Sequence, residues 1–316
     1  MTDDRKDVTI NDIARLAGVS PSTVSRVLNK SKPVTPATEA AVQAAIDQLG
    51  FRPNLVAQGL ARGRSTAIGV LIEELTSPFY GAIMRGIEDG LGDSGFYPIF
   101  ASTHWRPGLA APDRRALDML LGRRVDGILI VGSHVPDAVY RELARQLPLL
   151  IVGELIPGFE ERCLVVDNRH SADALTRHLI QLGHRRIAHI SGLLENADGR
   201  ERLEGYQRSM AEAGLPELVI DGDFTESSGI LAVDRLIHER AEFSAIFAAN
   251  DQMAMGAALA LHRHGRLVPR DVSLAGFDDL PLVRYSIPPL TTVRQPTHEM
   301  GLAAARGMLD LIGGRP

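Results

Sequence analysis

The sequence is poor in cysteine and contains no long apolar run. Its one cysteine, Cys163, excludes a disulfide framework within one chain and a zinc site built from several cysteines. No stretch of 18 apolar residues is present, which excludes a membrane-spanning helix. The N-terminal segment MTDDRKDVTI is polar and lacks the apolar core of a signal peptide. We therefore expect a cytoplasmic protein with no membrane partner.

Motifs of catalysis and nucleotide binding are also missing. There is neither a G-x-S-x-G elbow nor a Walker A loop. The GLGDSG segment at 90–95 matches a dinucleotide-binding pattern, but it closes a helical stretch instead of following a strand and opening a helix. His262 and His264 are two residues apart on a predicted helix and do not share a face. We expect no enzyme activity, no cofactor and no metal.

Charge is distributed unevenly over the 316 residues. Residues 1–65 contain nine Lys or Arg and six Asp or Glu, a net charge of +3. The remainder contains 25 basic and 33 acidic residues, a net charge of −8. A basic end on an acidic body is typical of proteins that bind nucleic acid through that end, although an ordinary fluctuation in composition gives the same numbers.

Three short helices are predicted within residues 8–50. Each start has a capping residue, and the second and third also have proline at the first helical position: Thr9, then Ser20 with Pro21, then Thr35 with Pro36. Gly18 and Gly50 can end the first and third helices in a left-handed conformation. The residues expected to face the core are Ile13, Leu16, Ala17, Val24, Val27, Leu28, Val42, Ile46 and Leu49.

The first two helices, joined by AGVS, form a predicted helix-turn-helix. In that motif the N-terminal residues of the second helix meet base edges in the DNA major groove. Pro21, Ser22 and Arg26 face outward there, and Arg26 can donate two hydrogen bonds to guanine O6 and N7. Thr23 and Ser25 are placed for contacts with phosphate or bases. From spacing alone, a plain three-helix bundle with solvated polar faces is an equal alternative.

From Thr66 onward, short β runs alternate with helical patterns. The predicted strands are AIGVLIE, YPIFAS, DGILIVG, LPLLIVG, IAHISG, LVIDGD, AIFAAN and DVSLAGF. Such alternation is typical of doubly wound parallel sheets with helices on both faces. Eight or more strands over this length favour two sheets rather than one.

Polar and aromatic residues follow these strands, at the sheet edge where α/β proteins bind ligands. Arg202 lies in the segment after IAHISG, Phe224 follows LVIDGD, and Asp251 and Asp278 follow two later strands. Carboxylate, amide and guanidinium groups make paired hydrogen bonds, and an aromatic face covers the apolar face of a ring, so a hydroxyl-rich small molecule fits. For Asp251 helix capping is an equal alternative, whereas Arg202 has no capping role.

The head carries a specific resemblance. The residues VTINDIARLAGVSPSTVSRVLN and VTPATEAAVQAAIDQLGFRPN closely resemble the DNA-binding head of the lactose-repressor/galactose-repressor family. The resemblance implies that Ser22 and Arg26 carry most of the base specificity, because Pro21 beside them is a poor hydrogen-bond donor. The DNA-contacting residues implied in the head are Thr9, Pro21, Ser22, Thr23, Ser25, Arg26 and Asn29.

The segment PNLVAQGLARGRS, residues 53–65, is similar to the family's hinge helix. In the family this helix orders on operator DNA, two copies pack in the minor groove, and one Leu from each wedges a central base step open. Leu60 occupies that position, Ala57 and Ala61 share its helical face, and Arg62 can meet a phosphate.

The body resembles the same family through AIFAANDQMAMGAALALHRHGRLVPRDVSLAGFDD and PPLTTVRQP. The resemblance implies a fold similar to periplasmic sugar-binding proteins, with two subdomains and a cleft. The effector-facing residues it implies are Phe79, Tyr80, Asn196, Asp198, Arg202, Phe224, Asn250 and Asp278. Glu154 and Trp105, which follow two other strands, are further candidates. Purine-binding members carry an arginine at the position of Asn196, so a sugar or sugar derivative is favoured.

These observations predict three parts: a helix-turn-helix head at 1–52, a hinge at 53–65 and an effector-binding body at 66–316. We expect subdomain one at 66–166 and 292–316, and subdomain two at 167–291. Family members usually continue past the last helix into a closing strand and a third crossover, which this sequence does not include.

The resulting hypothesis is a homodimeric repressor that binds near-palindromic double-stranded operator DNA and is controlled by a carbohydrate in the cleft. The sequence leaves open whether the dimers form a tetramer and whether the ligand weakens or strengthens DNA binding. The alternative is a stand-alone sugar-binding or sugar-modifying protein, in which the head has another role.

Overall fold

A computed structural model of the chain describes residues 8–29, 32–51, 64–103, 114–132 and 135–314. The chain divides between Ser65 and Thr66 into two separately packed units, a head and a body. No helix in the described ranges is long and apolar enough to cross a membrane.

In its described residues the head contains three helices: α1 (Ile10–Ala17), α2 (Pro21–Asn29) and α3 (Pro36–Leu49). Thr35 caps α3 by accepting a hydrogen bond from the Thr38 backbone nitrogen at 3.3 Å. Gly18 and Gly50 adopt the left-handed conformation at the ends of α1 and α3. The capping signals in the sequence therefore correctly locate these helix ends.

The core of the head is small. Its fully buried residues are Ile13, Ala14, Val24, Val42 and Ala45. The expectation that Leu16 faces this core is wrong, because Leu16 is 45% exposed. Ala14 takes the buried position instead, since three short helices enclose too little space for every apolar residue of α1.

The body contains two parallel five-stranded sheets, which confirms the doubly wound fold. The strands of the first sheet are β1 (Ala67–Ile72), β2 (Tyr97–Ser102), β3 (Gly127–Val131), β4 (Leu149–Val152) and β5 (Cys163–Leu164), in the order β2-β1-β3-β4-β5. The strands of the second sheet are β6 (Ile187–Ile190), β7 (Leu218–Ile220), β8 (Ala245–Ala248), β9 (Ser273–Asp278) and β10 (Thr291–Arg294), in the order β10-β9-β8-β6-β7.

Helices cover both sheets. They are α4 (Pro78–Leu91), α5 (Arg115–Gly122), α6 (Asp137–Gln146), α7 (Asn168–Gln181), α8 (Ala197–Glu212), α9 (Glu226–His238), α10 (Asp251–Arg263) and α11 (Thr297–Ile312). Short 3-10 helices lie at Gly92–Ser94, Glu160–Arg162 and Pro281–Tyr285. The GLGDSG segment thus closes α4 before β2, as its context predicts.

All eight predicted strands are present, and two further strands, β5 and β10, were missed. Both lie at sheet edges, and their residues are only partly buried or exposed. An edge strand lacks the continuous apolar run of a central strand, so neither CL nor TTVR stands out in the sequence.

The chain crosses between the sheets twice within the described ranges. The first crossover lies between β5 and α7, close to the expected boundary at 166. The second lies after Arg294, because Thr291 to Arg294 pair with β9 in the second sheet. The expected boundary at 292 is therefore three residues too early.

The last helix returns to the first sheet. Helix α11 packs against α4 so closely that a β carbon on Gly86 would lie 2.1 Å from the His298 carbonyl oxygen, and one on Gly301 would lie 2.2 Å from that of Ile83. Glycine at both positions therefore allows the two helix backbones to meet, and this packing anchors the C-terminal segment to the first sheet.

Candidate functional site

A cleft of about 620 Å³ lies between the carboxyl ends of the two sheets. In each sheet the strand order reverses around the first strand, β1 or β6, and ligands of doubly wound proteins bind at such reversals. The residues lining the cleft from the first sheet are Glu73, Glu74, Thr76, Ser77, Phe79 and Tyr80. Those from the second are Leu193, Asn196, Asp198, Arg202, Asp223, Phe224, Thr225, Glu226, Asn250, Gln252 and Asp278.

Eight of the ten predicted effector residues line this cleft: Phe79, Tyr80, Asn196, Asp198, Arg202, Phe224, Asn250 and Asp278. Glu154 is not among the lining residues, and its carboxylate accepts a hydrogen bond from the Tyr140 hydroxyl at 3.4 Å. Trp105 lies outside the described residues. The eight residues are thus brought together, and their contact with a ligand stays a prediction.

Arg202 is the buried cation of the cleft. It is 2% exposed, and its Nε donates to Asn168 Oδ1 at 2.9 Å while one terminal nitrogen donates to the Ala249 carbonyl at 2.6 Å. An Asp278 oxygen lies 3.6 Å from that same terminal nitrogen, and an Asp198 oxygen lies 3.6 Å from the other terminal nitrogen. The helical spacing of Asp198 and Arg202 on α8 places them on one face, which explains this pairing.

Asp278 ends β9 with a backbone φ of +119°, outside the ordinary strand region. Burial raises the pKa of its carboxyl to about 7, against the opposing effect of Arg202. Its oxygen accepts a hydrogen bond from Gln295 Nε2 at 2.7 Å. A residue held by strained backbone at a strand end is typical of a binding site, since surrounding contacts must maintain it.

Phe224 contributes an aromatic wall. It also has a positive φ, +68°, and its ring lies against Gly192: a β carbon on that glycine would be 2.0 Å from the ring Cζ. Asn250 holds this loop, because its amide nitrogen donates to the Phe224 carbonyl at 2.9 Å. The Asn250 oxygen accepts from the Met253 backbone nitrogen at 2.9 Å and so caps α10. Asn250 therefore supports the wall as well as lining the cleft.

Asp251 has a structural role. It is fully buried and accepts hydrogen bonds from the Thr292 hydroxyl at 2.6 Å and the Leu280 backbone nitrogen at 2.8 Å. Burial raises the pKa of its carboxyl to about 6. Asp251 therefore takes neither of its two predicted roles, ligand contact or helix cap. Asn250 is the cap, and Asp251 holds β10 against the second sheet.

Glu73 and Tyr80 form the wall on the first sheet. The Tyr80 hydroxyl donates to Glu73 Oε2 at 2.8 Å, and the Tyr80 ring lies where a β carbon on Gly132 would stand, 2.3 Å from the hydroxyl oxygen. Burial raises the pKa of Glu73 to about 7, and the Asp198 carboxylate adds to that increase. Sequence reasoning missed Glu73, although it directly follows β1 and the strand-end rule applies to it.

A hydrogen bond between Ser77 and Gln252 spans the cleft. The Ser77 hydroxyl, at the start of α4, donates to Gln252 Oε1 on α10 at 3.3 Å. Gln252 is in turn held by Glu226, which accepts from its amide nitrogen at 2.9 Å. No spacing in the sequence indicates this contact, because its partners are 175 residues apart and belong to different sheets.

The predicted DNA-reading residues lie at the start of α2. Pro21, Ser22 and Arg26 are exposed, and the Ser20 hydroxyl lies 2.8 Å from the hydroxyls of both Ser22 and Thr23. The helix start is therefore held by a small hydroxyl network while Arg26 faces solvent.

The structure describes only some of the other residues predicted to contact DNA. The Thr9 hydroxyl donates to Asp12 Oδ2 at 2.7 Å, so it takes part in starting α1. Ser25 is partly buried on α2, and Asn29 ends that helix, with its side chain outside the described part. The four hinge candidates, Ala57, Leu60, Ala61 and Arg62, lie outside the described residues.

Two family models match the chain. Residues 9–54 match the model described as bacterial regulatory proteins, lacI family, and residues 176–316 match a periplasmic binding protein-like domain. Among curated relatives, the transcriptional regulator GalR of Escherichia coli K12 is 36% identical over 98% of this chain and 90% of its own length. The ribose operon repressor of the same strain is 37% identical over 96% of this chain and 93% of its own.

Solved structures of similar proteins match this chain over nearly its whole length. The Lac repressor dimer bound to operator and the anti-inducer ONPF matches with a TM-score of 0.85 and 30% identity, covering 98% of this chain and 94% of that chain. A complex of the transcriptional regulator CelR with cellobiose matches with a TM-score of 0.71 and 36% identity, covering 97% and 94%. The likeness thus includes the head as well as the body.

Proposed function

This chain belongs to the lacI family of bacterial regulatory proteins, and from that premise we propose that it is a repressor whose operator affinity is set by a small molecule in the cleft. Membership confirms the resemblance read from the sequence. The family consists of transcription regulators, and this chain combines the two parts that such a regulator needs, a helix-turn-helix head and a ligand-sized cleft.

The observation that carries the proposal is the composition of the cleft. Its walls come from both sheets, with Tyr80 on one side and Arg202 on the other. A ligand that contacts both walls favours one angle between the sheets, and a change of that angle moves the segment that leads to the head. Coupling of this kind between two sites amounts to about 1–3 kcal/mol in known cases.

We infer that the ligand is a sugar or sugar derivative. Asn196, Asp198 and Asp278 present amide and carboxylate groups that bond to hydroxyls, and Phe224 offers an aromatic face for a ring. Relatives support this class, since one solved relative is a complex with cellobiose and another curated relative is a ribose operon repressor.

A homodimer is part of the proposal. An exposed apolar surface lies beyond β9, where Ile287 is 100%, Tyr285 80% and Leu282 59% exposed. Such a surface is typical of a protein interface. A solved relative is a dimer bound to its operator. Two heads related by a two-fold axis would read a near-palindromic site.

The hinge completes the proposed DNA contact. Leu60 is the candidate wedge in the minor groove, with Ala57 and Ala61 on the same helical face. We expect Leu60→Ala to weaken binding to a specific operator far more than binding to unrelated DNA. Equal losses on both would contradict the wedge.

The rival proposal is an enzyme or carrier of sugars. Within the described ranges no group of three or more His, Cys, Asp or Glu residues could hold a metal ion. Among the described lining residues the charged groups are the carboxylates and Arg202, and the family is one of regulators. We propose that the chain has no enzyme activity and acts in the cytoplasm, where its DNA lies.

DNA selection tests the proposal directly. The full chain is incubated with random double-stranded DNA, and retained sequences should converge on a near-palindrome whose retention falls steeply as salt rises. Arg26→Ala should cost about 1–3 kcal/mol of discrimination at one base pair of each half-site. Arg270→Ala, an exposed arginine of the body, is the matched control and should change nothing. Retention without sequence preference would overturn the proposal.

A further inference from the structure

The cleft has an excess of negative charge. Among the described residues, its lining carries six carboxylates and one guanidinium, those of Glu73, Glu74, Asp198, Asp223, Glu226, Asp278 and Arg202. A phosphate or carboxylate on a ligand would meet like charge from both walls, and like charges at close range in a partly desolvated site are strongly unfavourable.

Arg202, the cation among the described lining residues, cannot reverse this excess of negative charge. Arg202 already lies 3.6 Å from carboxylates of both Asp198 and Asp278. Two of its nitrogens donate to Asn168 and the Ala249 carbonyl. It retains donors for a ligand hydroxyl, but its charge is already offset, so Arg202 is poorly suited to receive an anion.

Glu73 is one of four cleft carboxylates that form no ion pair with a described cation, the others being Glu74, Asp223 and Glu226. Within the described residues no Lys, Arg or His forms an ion pair with it, and its side-chain hydrogen-bond partners are the Tyr80 hydroxyl, at 2.8 Å, and Asn196. Its nearest charged influences are the Asp198 and Glu74 carboxylates, which raise its pKa. A buried carboxyl in such surroundings either holds a proton or pairs with an incoming cation.

A second group in the cleft also requires a donor. The side-chain oxygen of Asn196 is buried and has no hydrogen-bond partner. Asn196 begins α8, yet its side chain makes no capping hydrogen bond. A buried acceptor without a partner is costly, and a ligand N–H or O–H would remove that cost. Asn196 and Glu73 line the same cleft, so both acceptors face one ligand.

We propose that the cleft selects a polyhydroxylated ligand carrying an ammonium group, as in an amino sugar, with Glu73 as its specificity-determining residue, and that it rejects phosphorylated and carboxylated sugars. The inference rests on the proposed function only in taking this cleft as the effector site. When the ligand binds, Glu73 releases its proton and its carboxylate pairs with the ammonium group. The sugar hydroxyls form hydrogen bonds with Asn196, Asp198 and Arg202.

Matched probes test the charge selection. Glucose, glucosamine and glucose 6-phosphate form one set of three, and the galactose and mannose equivalents form two more. Each is titrated into the full chain by calorimetry near pH 7, in two buffers of different ionisation enthalpy. The amine of at least one set should bind tighter than its neutral parent by about tenfold, since hydrogen bonds to a charged partner contribute at this scale. Its binding should release a fraction of a proton, whereas the neutral parent should release none.

Two variants identify the residue responsible. Glu73→Gln should abolish the preference for the amine and the proton release while binding of the neutral parent persists. Glu88→Gln removes the same charge from an exposed position on α4 outside the cleft, and it should bind like the wild type. An unchanged preference in Glu73→Gln overturns the assignment to Glu73.

The outcomes also separate this inference from the proposed function. Tighter binding of a phosphorylated probe than of its parent, or binding by none of the amines, overturns the inference. Neutral sugars that alter operator affinity and bind as tightly as their amines would support the repressor proposal while refuting the charge selection. Absence of specific operator binding both with and without the bound amine would instead refute the repressor proposal alone.

Discussion

The guanidinium carbon of Arg202 lies 4.0 Å from the centroid of the Phe277 ring, at the base of the cleft. The Arg202 side chain is 3% exposed and is held from every side by hydrogen bonds, carboxylates and this aromatic face. A guanidinium tolerates such burial better than an ammonium, because it is planar, weakly hydrated and donates in several directions.

Removing the Arg202 guanidinium should lower the free energy of unfolding of the body. Arg202→Ala leaves Asp278 without its buried partner, so we expect the body to lose about 3–5 kcal/mol of unfolding free energy. Arg202→Lys should recover little, because lysine cannot donate to Asn168 and Ala249 together. Urea denaturation measures both. Arg235→Ala, which breaks an exposed ion pair with Glu239, is the control and should cost under about 1 kcal/mol. If Arg202→Ala costs no more than the control, the cation does not hold the cleft together.

A methyl group on Gly192 should displace the aromatic wall. A β carbon there would lie 2.0 Å from the Phe224 ring, so Gly192→Ala forces the ring out of place. We expect a loss of about 1–3 kcal/mol and weaker ligand binding, measured by thermal denaturation and calorimetry. Gly122→Ala is the matched control, since a β carbon there meets nothing within 4 Å. Equal behaviour of the two variants would show that the ring position is not set by Gly192.

The stability of the body should depend on pH through Glu73. Its pKa is raised from 4.5 to about 7 by burial, so the folded chain retains a proton that the unfolded chain releases near pH 4.5. This contribution is full below pH 4.5 and is lost as the pH rises through 7. Between these limits the wild type should lose on the order of 3 kcal/mol relative to Glu73→Gln.

Denaturation at a series of pH values measures that difference. Glu88→Gln, at an exposed position on α4 outside the cleft, is the matched control for removing a carboxyl group. A wild-type advantage that instead grows as the pH rises would mean that the Glu73 pKa is lowered in the folded chain.

The exposed surface beyond β9 should support the dimer. Ile287 is fully exposed, and Ile287→Asp places a charge in the proposed interface, so the variant should sediment as a monomer. Leu231→Asp is the control, since Leu231 is a 67% exposed leucine on α9 outside that surface. Analytical ultracentrifugation distinguishes the two. A dimeric Ile287→Asp variant would place the interface elsewhere.

Much of the fold was predictable from short-range patterns. Proline and capping signals locate the starts of the head helices, and eight apolar runs correspond to eight strands. These signals act over a few residues, through hydrogen bonding at helix ends and through burial on both faces of a parallel sheet. The partly buried edge strand β10 lacks them, and this is why the crossover after Arg294 was placed too early.

The site was predictable only in part. Arg202, Phe224 and Asp278 were predicted as cleft residues from their positions after strands, because the carboxyl ends of parallel strands lie at one sheet edge. The same position after a strand suggested that Asp251 contacts the ligand, but its carboxylate instead accepts a hydrogen bond from the Thr292 hydroxyl on β10. Glu73 follows the rule too, but nothing local distinguishes it from the neighbouring Glu74.

The sequence by itself determined the elements of this protein, its family and the residue types that end each strand, since these depend on local hydrogen bonding and on recurring patterns. Only the tertiary structure decided which of those residues share a cleft and which are already paired. Burial and pairing depend on contacts between distant segments, such as Ser77 with Gln252. The charge balance around Arg202 follows from that packing alone, as does the position of the Glu73 carboxylate, which pairs with no cation among the described residues.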